Sequence, residues 1–206
     1  MPGPIGPIVD ANQVPMGTST NPLYVAGSSS APVPVYTPDG FFSLAGVAFN
    51  RPADTTAYAA GDLVANSTTS GSVAPIAFAN AVRSAGQACR IERMRLRKSG
   101  TSLTNASFRV YLFRTSPTVS VGDNGVFNSS GTLAISDIAD LIDYFDITMN
   151  RSATVGARGL GVPSTGSGVN ITPTSGTTLY ALIEATAAYT PASGETFTIT
   201  LEGALG

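Results

Sequence analysis

The sequence predicts an all-β domain, a β-sandwich of jelly-roll-like type, with an extended proline-rich N-terminal arm and one short helix. Three observations carry this expectation. Short segments alternate apolar and polar residues with a period of two, clusters of Gly, Ser, Thr and Asn separate them, and the composition changes near residue 40. Residues 1–45 read as the arm and residues 46–206 as the sandwich. The chain has 206 residues, 43% of them apolar, which is enough to bury one sizeable core.

Of the 14 prolines, nine lie at or before Pro52, and the first 50 residues hold only two charges, Asp10 and Asp39. Proline removes backbone donors and favours extended chain, so this segment makes neither a helix nor a central strand. Its apolar content also sets it apart from ordinary disordered tails, which are charged and apolar-poor. Ile5, Ile8, Val9, Val14, Leu23, Tyr24 and Val25 have no local core to enter. They are expected to anchor the arm on another surface, either its own domain or a neighbouring subunit. The tandem Gly-Pro-Ile at residues 3–8 is too short for a collagen helix.

Strands are expected around Leu44 to Phe49, Asp62 to Asn66, Ala74 to Ala79, Cys89 to Lys98, Phe108 to Phe113 and Asp146 to Asn150. Two more, Thr178 to Ala185 and Glu195 to Glu202, look like a C-terminal hairpin closed by Pro191 to Gly194. In the last of these, Phe197, Ile199 and Leu201 alternate with Thr196, Thr198 and Thr200, which predicts one buried and one hydroxyl-bearing face. Phe108 to Phe113 is apolar on both faces and belongs in the middle of a sheet. Between them, Ile138, Leu141, Ile142 and Phe145 recur at helical spacing behind Ser136 as N-cap, predicting a short surface helix.

Composition also narrows the chemistry. The chain has no histidine, so triads and zinc sites built on imidazole are excluded. The lone Cys89 falls in a strand with no base beside it and reads as a small buried apolar residue. Asp137, Asp140, Asp143 and Asp146 are spaced by three with bulky apolar residues between them, unlike calcium loops, and read as a solvated helix face. Glu195 and Glu202 lie at opposite ends of one strand, too far apart for a hydrolytic carboxylate pair. No enzyme activity, metal or cofactor is expected. No stretch reaches the ~18 apolar residues of a membrane helix, and the N-terminus lacks the pattern of a signal peptide, so no membrane partner is expected. A net charge of −2 argues against a specific nucleic-acid partner.

The most charged stretch is Arg90 to Lys98. On a strand, Arg93, Arg95 and Arg97 share one face opposite Met94 and Leu96. Such a row is either the solvated outside of a sheet, with arginine stems covering apolar surface, or a contact for carboxylates of a partner.

The segment Phe49 to Ala65, containing Arg51-Pro52-Ala53-Asp54-Thr55-Thr56-Ala57-Tyr58 and Gly61-Asp62, resembles a segment of tailed-phage structural proteins. Cys89 to Leu96, Phe108 to Phe113, Ser116-Pro117, Asp123 to Phe127 and Ile138 to Ile147 follow in the order found in those proteins. The resemblance covers about residues 45–150. It implies a virion component that decorates or cements the capsid exterior, with the major capsid protein and copies of itself, for example as a trimer, as partners. Synthesis in the host bacterial cytoplasm would precede its placement on the virion. It carries over no binding residues. A fibre- or anchor-type virion protein with a host-facing module remains an alternative, as does a non-phage adhesin or carbohydrate-binding module, which the absence of Trp disfavours.

Overall fold

The structure is a computed structural model that describes residues 41–44, 46–127, 132–133 and 135–205. Ile5, Ile8, Val9, Val14, Leu23, Tyr24 and Val25, and with them the predicted arm up to residue 40, lie outside the described residues. The described chain is almost entirely β. Its strands are β1 (Phe41–Ser43), β2 (Val47–Asn50), β3 (Asp62–Val64), β4 (Ile76–Phe78), β5 (Cys89–Lys98), β6 (Ser107–Phe113), β7 (Leu141–Thr148), β8 (Arg151–Ala153), β9 (Gly156–Gly161), β10 (Val169–Ile171), β11 (Leu179–Ala185) and β12 (Thr196–Leu205). One helical turn, α1 (Ile135–Ala139), precedes β7.

The strands form two antiparallel sheets. In the seven-stranded sheet, β12 and β5 pair along their lengths; β1 and β2 lie end to end on the free edge of β12, and β10 and β9 end to end on that of β5, with β8 outside β9. In the five-stranded sheet, β11 is flanked on one side by β3 and β4, again end to end, and on the other by β6, which pairs with β7. Both sheets turn their apolar residues into one shared core. Met94 and Leu96 of β5 and Phe197, Ile199 and Leu201 of β12 meet Phe108, Val110 and Leu112 of β6 and Phe145 and Ile147 of β7, all at most 1% exposed. Phe108 packs edge-on against Phe197 across the two sheets, with ring centroids 5.3 Å apart. A smaller cluster, including Leu63, Phe113, Phe127 and Leu182, lies apart from this core.

Two expectations are corrected. The segments Thr178 to Ala185 and Glu195 to Glu202 are strands but not a hairpin, because β11 and β12 belong to different sheets. The turn at Pro191 to Gly194 therefore carries the chain from one sheet to the other. Among the described residues helical geometry is confined to Ile135–Ala139, and Leu141, Ile142 and Phe145 belong to β7. The alternation Phe145, Ile147, Met149 competed with the helical spacing and prevailed, since β7 pairs with β6 along its length and buries those three side chains. Ile138, assigned to the apolar helix face, is instead 56% exposed.

The chain has only 12% charged residues, yet several are buried as one polar assembly. The Arg51 guanidinium and the Asp123 carboxylate, almost wholly buried, form an ion pair at 3.0 Å. Arg51 also donates to Asp54 at 3.2 Å and, through Nε, to the Tyr58 hydroxyl. Tyr58 donates to Asp123 at 2.7 Å, and the backbone N–H of Ala65 donates to the same carboxylate oxygen at 2.7 Å. The ring of Tyr58 stacks on Tyr189 at 6.4 Å with an interplanar angle of 7°. Tyr189 in turn donates to Glu195 at 2.6 Å, and Glu195 is paired with Lys98 at 3.1 Å, both side chains fully buried. Lys98 also donates to the Gly100 carbonyl at 2.9 Å. Arg51, Asp54 and Tyr58 of the distinctive segment thus join β2 to the Asp123 loop and, through Tyr189, to β5 and the start of β12.

Removing Asp123 leaves the buried Arg51 with only the part-exposed Asp54 as counter-charge, and strips the Tyr58 hydroxyl and the Ala65 N–H of their acceptor, which is costly. Asp123→Ala should destabilise the domain by about 3–5 kcal/mol, measured by urea denaturation at neutral pH.

Burial raises the phenol pKa of Tyr58 and Tyr189, with Asp123 and Glu195 respectively adding to the rise. The folded state therefore keeps protons that the unfolded chain loses above about pH 10, so this contribution to stability is intact below that pH and declines above it. The expected decline is ~1.4 kcal/mol per pH unit per tyrosine. Denaturant titrations from pH 9 to 11 should show it, with a shallower slope for Tyr189→Phe.

Candidate interaction surface

The outer face of the seven-stranded sheet is set by a bulge in β5. Gly203 of β12 opposes Ile91 while Glu202 opposes Arg93, so Glu92 is the extra residue. A Cβ at Gly203 would stand 1.9 Å from the Arg90 carbonyl oxygen, so only glycine admits the two backbones here. The bulge switches the parity of the strand. Cys89, Ile91, Met94, Leu96 and Lys98 are buried, while Arg90, Glu92, Arg93, Arg95 and Arg97 are exposed or partly so. Cys89 is 1% exposed, and burial pushes its thiol up to about 11, as suits a packed apolar residue.

Arg93, Arg95 and Arg97 do share one face, as the alternation predicts, but they have different roles. Arg93 and Arg95 both donate to the carboxylate of Glu202, whose side chain is only 3% exposed beneath them. These two arginines are held by their own sheet. Arg97 stands between Thr198 of β12 and Arg158 of β9, and Arg158 in turn opposes Arg151 of β8. Arg97, Arg158 and Arg151 therefore form a row across three adjacent strands, and all three residues are exposed. Among the described residues, none of the three has a carboxylate within ion-pair distance. Arg151 and Arg158 were not singled out from sequence, although the alternation of Arg158 and Leu160 with Ala157, Gly159 and Gly161 is a strand pattern carrying that information.

The small residues of β9 place this row. Ala157, Gly159 and Gly161 face inward, and a Cβ on Gly159 would come within 2.5 Å of the Thr148 carbonyl oxygen and 2.7 Å of Ile147 Cγ2. A Cβ on Gly161 would come within 2.6 Å of Ile147 Cγ1. The β9 backbone thus lies directly on β7, with Arg158 and Leu160 turned out. Surface depressions lie on either side of the Arg151–Arg158 pair. One, of about 390 Å³, is lined by Arg97 and Val155 among others; the other, of about 250 Å³, by Arg93, Arg95, Asn150 and Leu160. Exposed Val155 and Leu160 border the arginines.

The other sheet differs. There Arg109 makes a bidentate pair with Asp146 at 2.7 and 2.9 Å and lies 4.1 Å over the Tyr144 ring, while Tyr111 donates to Glu184. The remaining predicted aspartates are dispersed rather than arrayed on a helix face. Asp137 accepts from the Thr118 N–H, Asp140 from the Thr115 hydroxyl, and Asp143 from Ser164. Among the described residues no group of acidic and sulfur side chains is gathered as a metal site, and no helix is long and apolar enough to cross a membrane. The described part of the protein is thus defined as a two-sheet antiparallel β domain with an arginine-bearing outer face. Comparison with family models, curated proteins and solved structures found no match to the chain.

Alanine at Gly159 would force β9 away from the Thr148 carbonyl. Gly159→Ala is expected to lower stability by ~1–3 kcal/mol, read as a lower thermal midpoint.

Proposed function

We propose that this protein is a non-enzymatic virion structural protein that binds the outside of a phage capsid and stabilises it, with the major capsid protein and copies of itself as partners. In this reading the two-sheet domain is a β-sandwich of jelly-roll type, and the proline-rich arm wraps a neighbouring subunit. Because proline has already restricted the arm, docking it costs less chain entropy than docking a flexible segment. The observation that carries the reading is the division of charge within the domain. Arg51 and Tyr58 of the phage-like segment are engaged in a buried network with Asp54 at its edge, while three arginines with no carboxylate partner among the described residues stand on one outer sheet face. A rigid module with one adhesive face suits attachment to a larger surface. The likeness of residues 45–150 to tailed-phage structural proteins supplies the setting.

The test is incorporation into particles. Full-length protein should co-purify with capsids in copy numbers comparable to those of the capsid subunit, and deletion of residues 2–40 should reduce both incorporation and self-association. Incorporation and oligomeric state unchanged by the deletion would overturn the role given to the arm. Only a few copies per particle would favour a fibre or anchor protein instead.

A further inference from the structure

We propose that the cross-strand row Arg97, Arg158 and Arg151 is a receptor for carboxylate side chains of an acidic protein surface. The proposal rests on the partner-binding role given above and assigns its chemistry and residues. Neighbouring strands lie ~4.8 Å apart, so the three side chains rise side by side from one line across the sheet. Like charges directly opposite each other on a sheet destabilise it. Elsewhere on the domain this cost is avoided: Arg93 and Arg95 share Glu202, Arg109 has Asp146, and Arg90 lies 3.7 Å from Glu92. The row has no such internal relief among the described residues. Six arginines on this face, at positions 90, 93, 95, 97, 151 and 158, stand against two glutamates, Glu92 and Glu202, in a chain whose net charge is −2. The counterpart of the row is therefore an anion from outside the described residues.

The surroundings favour a protein as its source. Leu160 and Val155 are 49% and 86% exposed beside the arginines, and protein interfaces are enriched in arginine around a core more apolar than the rest of the surface. The strands β5, β8 and β9 contain no aromatic residue on which a base could stack, unlike single-strand binders. Guanidinium pairs carboxylate through two parallel hydrogen bonds, and the depressions flanking Arg151 and Arg158 leave room for such groups to approach.

Binding of a fluorescein-labelled poly-L-glutamate peptide to the full-length chain, followed by anisotropy at low salt, tests the assignment. R151Q/R158Q should bind at least ~10-fold more weakly than wild type. The charge-matched R83Q/R114Q, which changes exposed arginines outside the row, should stay within ~2-fold. The thermal midpoint of R151Q/R158Q should equal or exceed that of wild type at low salt, because like-charge repulsion is relieved while the fold is kept. Unchanged peptide affinity in R151Q/R158Q would overturn the proposal. So would an equal loss in R83Q/R114Q, which would reduce the effect to net charge, or tighter binding of an oligo-dT of matched charge through the same arginines, which would make the face a nucleic-acid surface. Peptide binding is measured without particles, so it is decided separately from capsid incorporation.

Discussion

The contact between Tyr58 and Tyr189 joins two buried ion pairs that would otherwise be unrelated, Arg51 with Asp123 and Lys98 with Glu195. Bringing such charges out of water is expensive, and the cost is offset only when geometry and further hydrogen bonds are complete. Here they nearly are. The Asp123 carboxylate accepts from a guanidinium, a phenol and a backbone N–H, and Glu195 accepts from an ammonium and a phenol. Burial acts to raise the Asp123 pKa, and the guanidinium and hydrogen bonds oppose it. We take the carboxylate as ionised, since Arg51 beside it remains charged at any ordinary pH. Apolar cores tolerate sliding and repacking, whereas an assembly of this kind admits few alternatives, so it favours one arrangement of the Asp123 loop, β2, β5 and the entry to β12.

From that constraint follows the character of the outer face. With Lys98 drawn inward to Glu195, the alternation of β5 sends Arg97 outward, and the bulge at Glu92 brings Arg93 and Arg95 above Glu202. The glycines of β9 press its backbone onto β7 and turn Arg158 toward solvent beside Arg97. The row of arginines is thus a consequence of how the interior is closed. It is carried by paired strands rather than by a loop.

Much of the strand content was legible locally. Cys89 to Lys98 appears with the predicted limits, Phe108 to Phe113 lies between β11 and β7, and Phe197, Ile199 and Leu201 are buried as their alternation requires. Partner choice was not legible. The segments before and after Pro191 look like a hairpin because they are adjacent and alternate, but pairing depends on which edge is free, and both edges of β12 are taken, one by β5 and the other by β1 and β2. The stretch from Leu141 to Phe145 was read at helical spacing, and its pairing with β6 decided for a strand, while Ile138 stayed in the helical turn before it. For the surface, the common face of Arg93, Arg95 and Arg97 followed from period two, while the engagement of Arg93 and Arg95 depended on Glu202, more than a hundred residues away.

The all-β character, the shift in composition near residue 40 and the outward phase of Arg93, Arg95 and Arg97 on β5 were written in the chain itself. Each follows from side-chain periodicity or backbone chemistry acting over a few residues. The tertiary structure alone decided the pairing of sheets, the buried joining of Arg51, Tyr58 and Asp123 to Tyr189, Glu195 and Lys98, and the meeting of Arg97 with Arg158 and Arg151. These are relations between residues distant in the chain, set by strand register and by the need of each buried charge for a partner, and neither is encoded within a single segment.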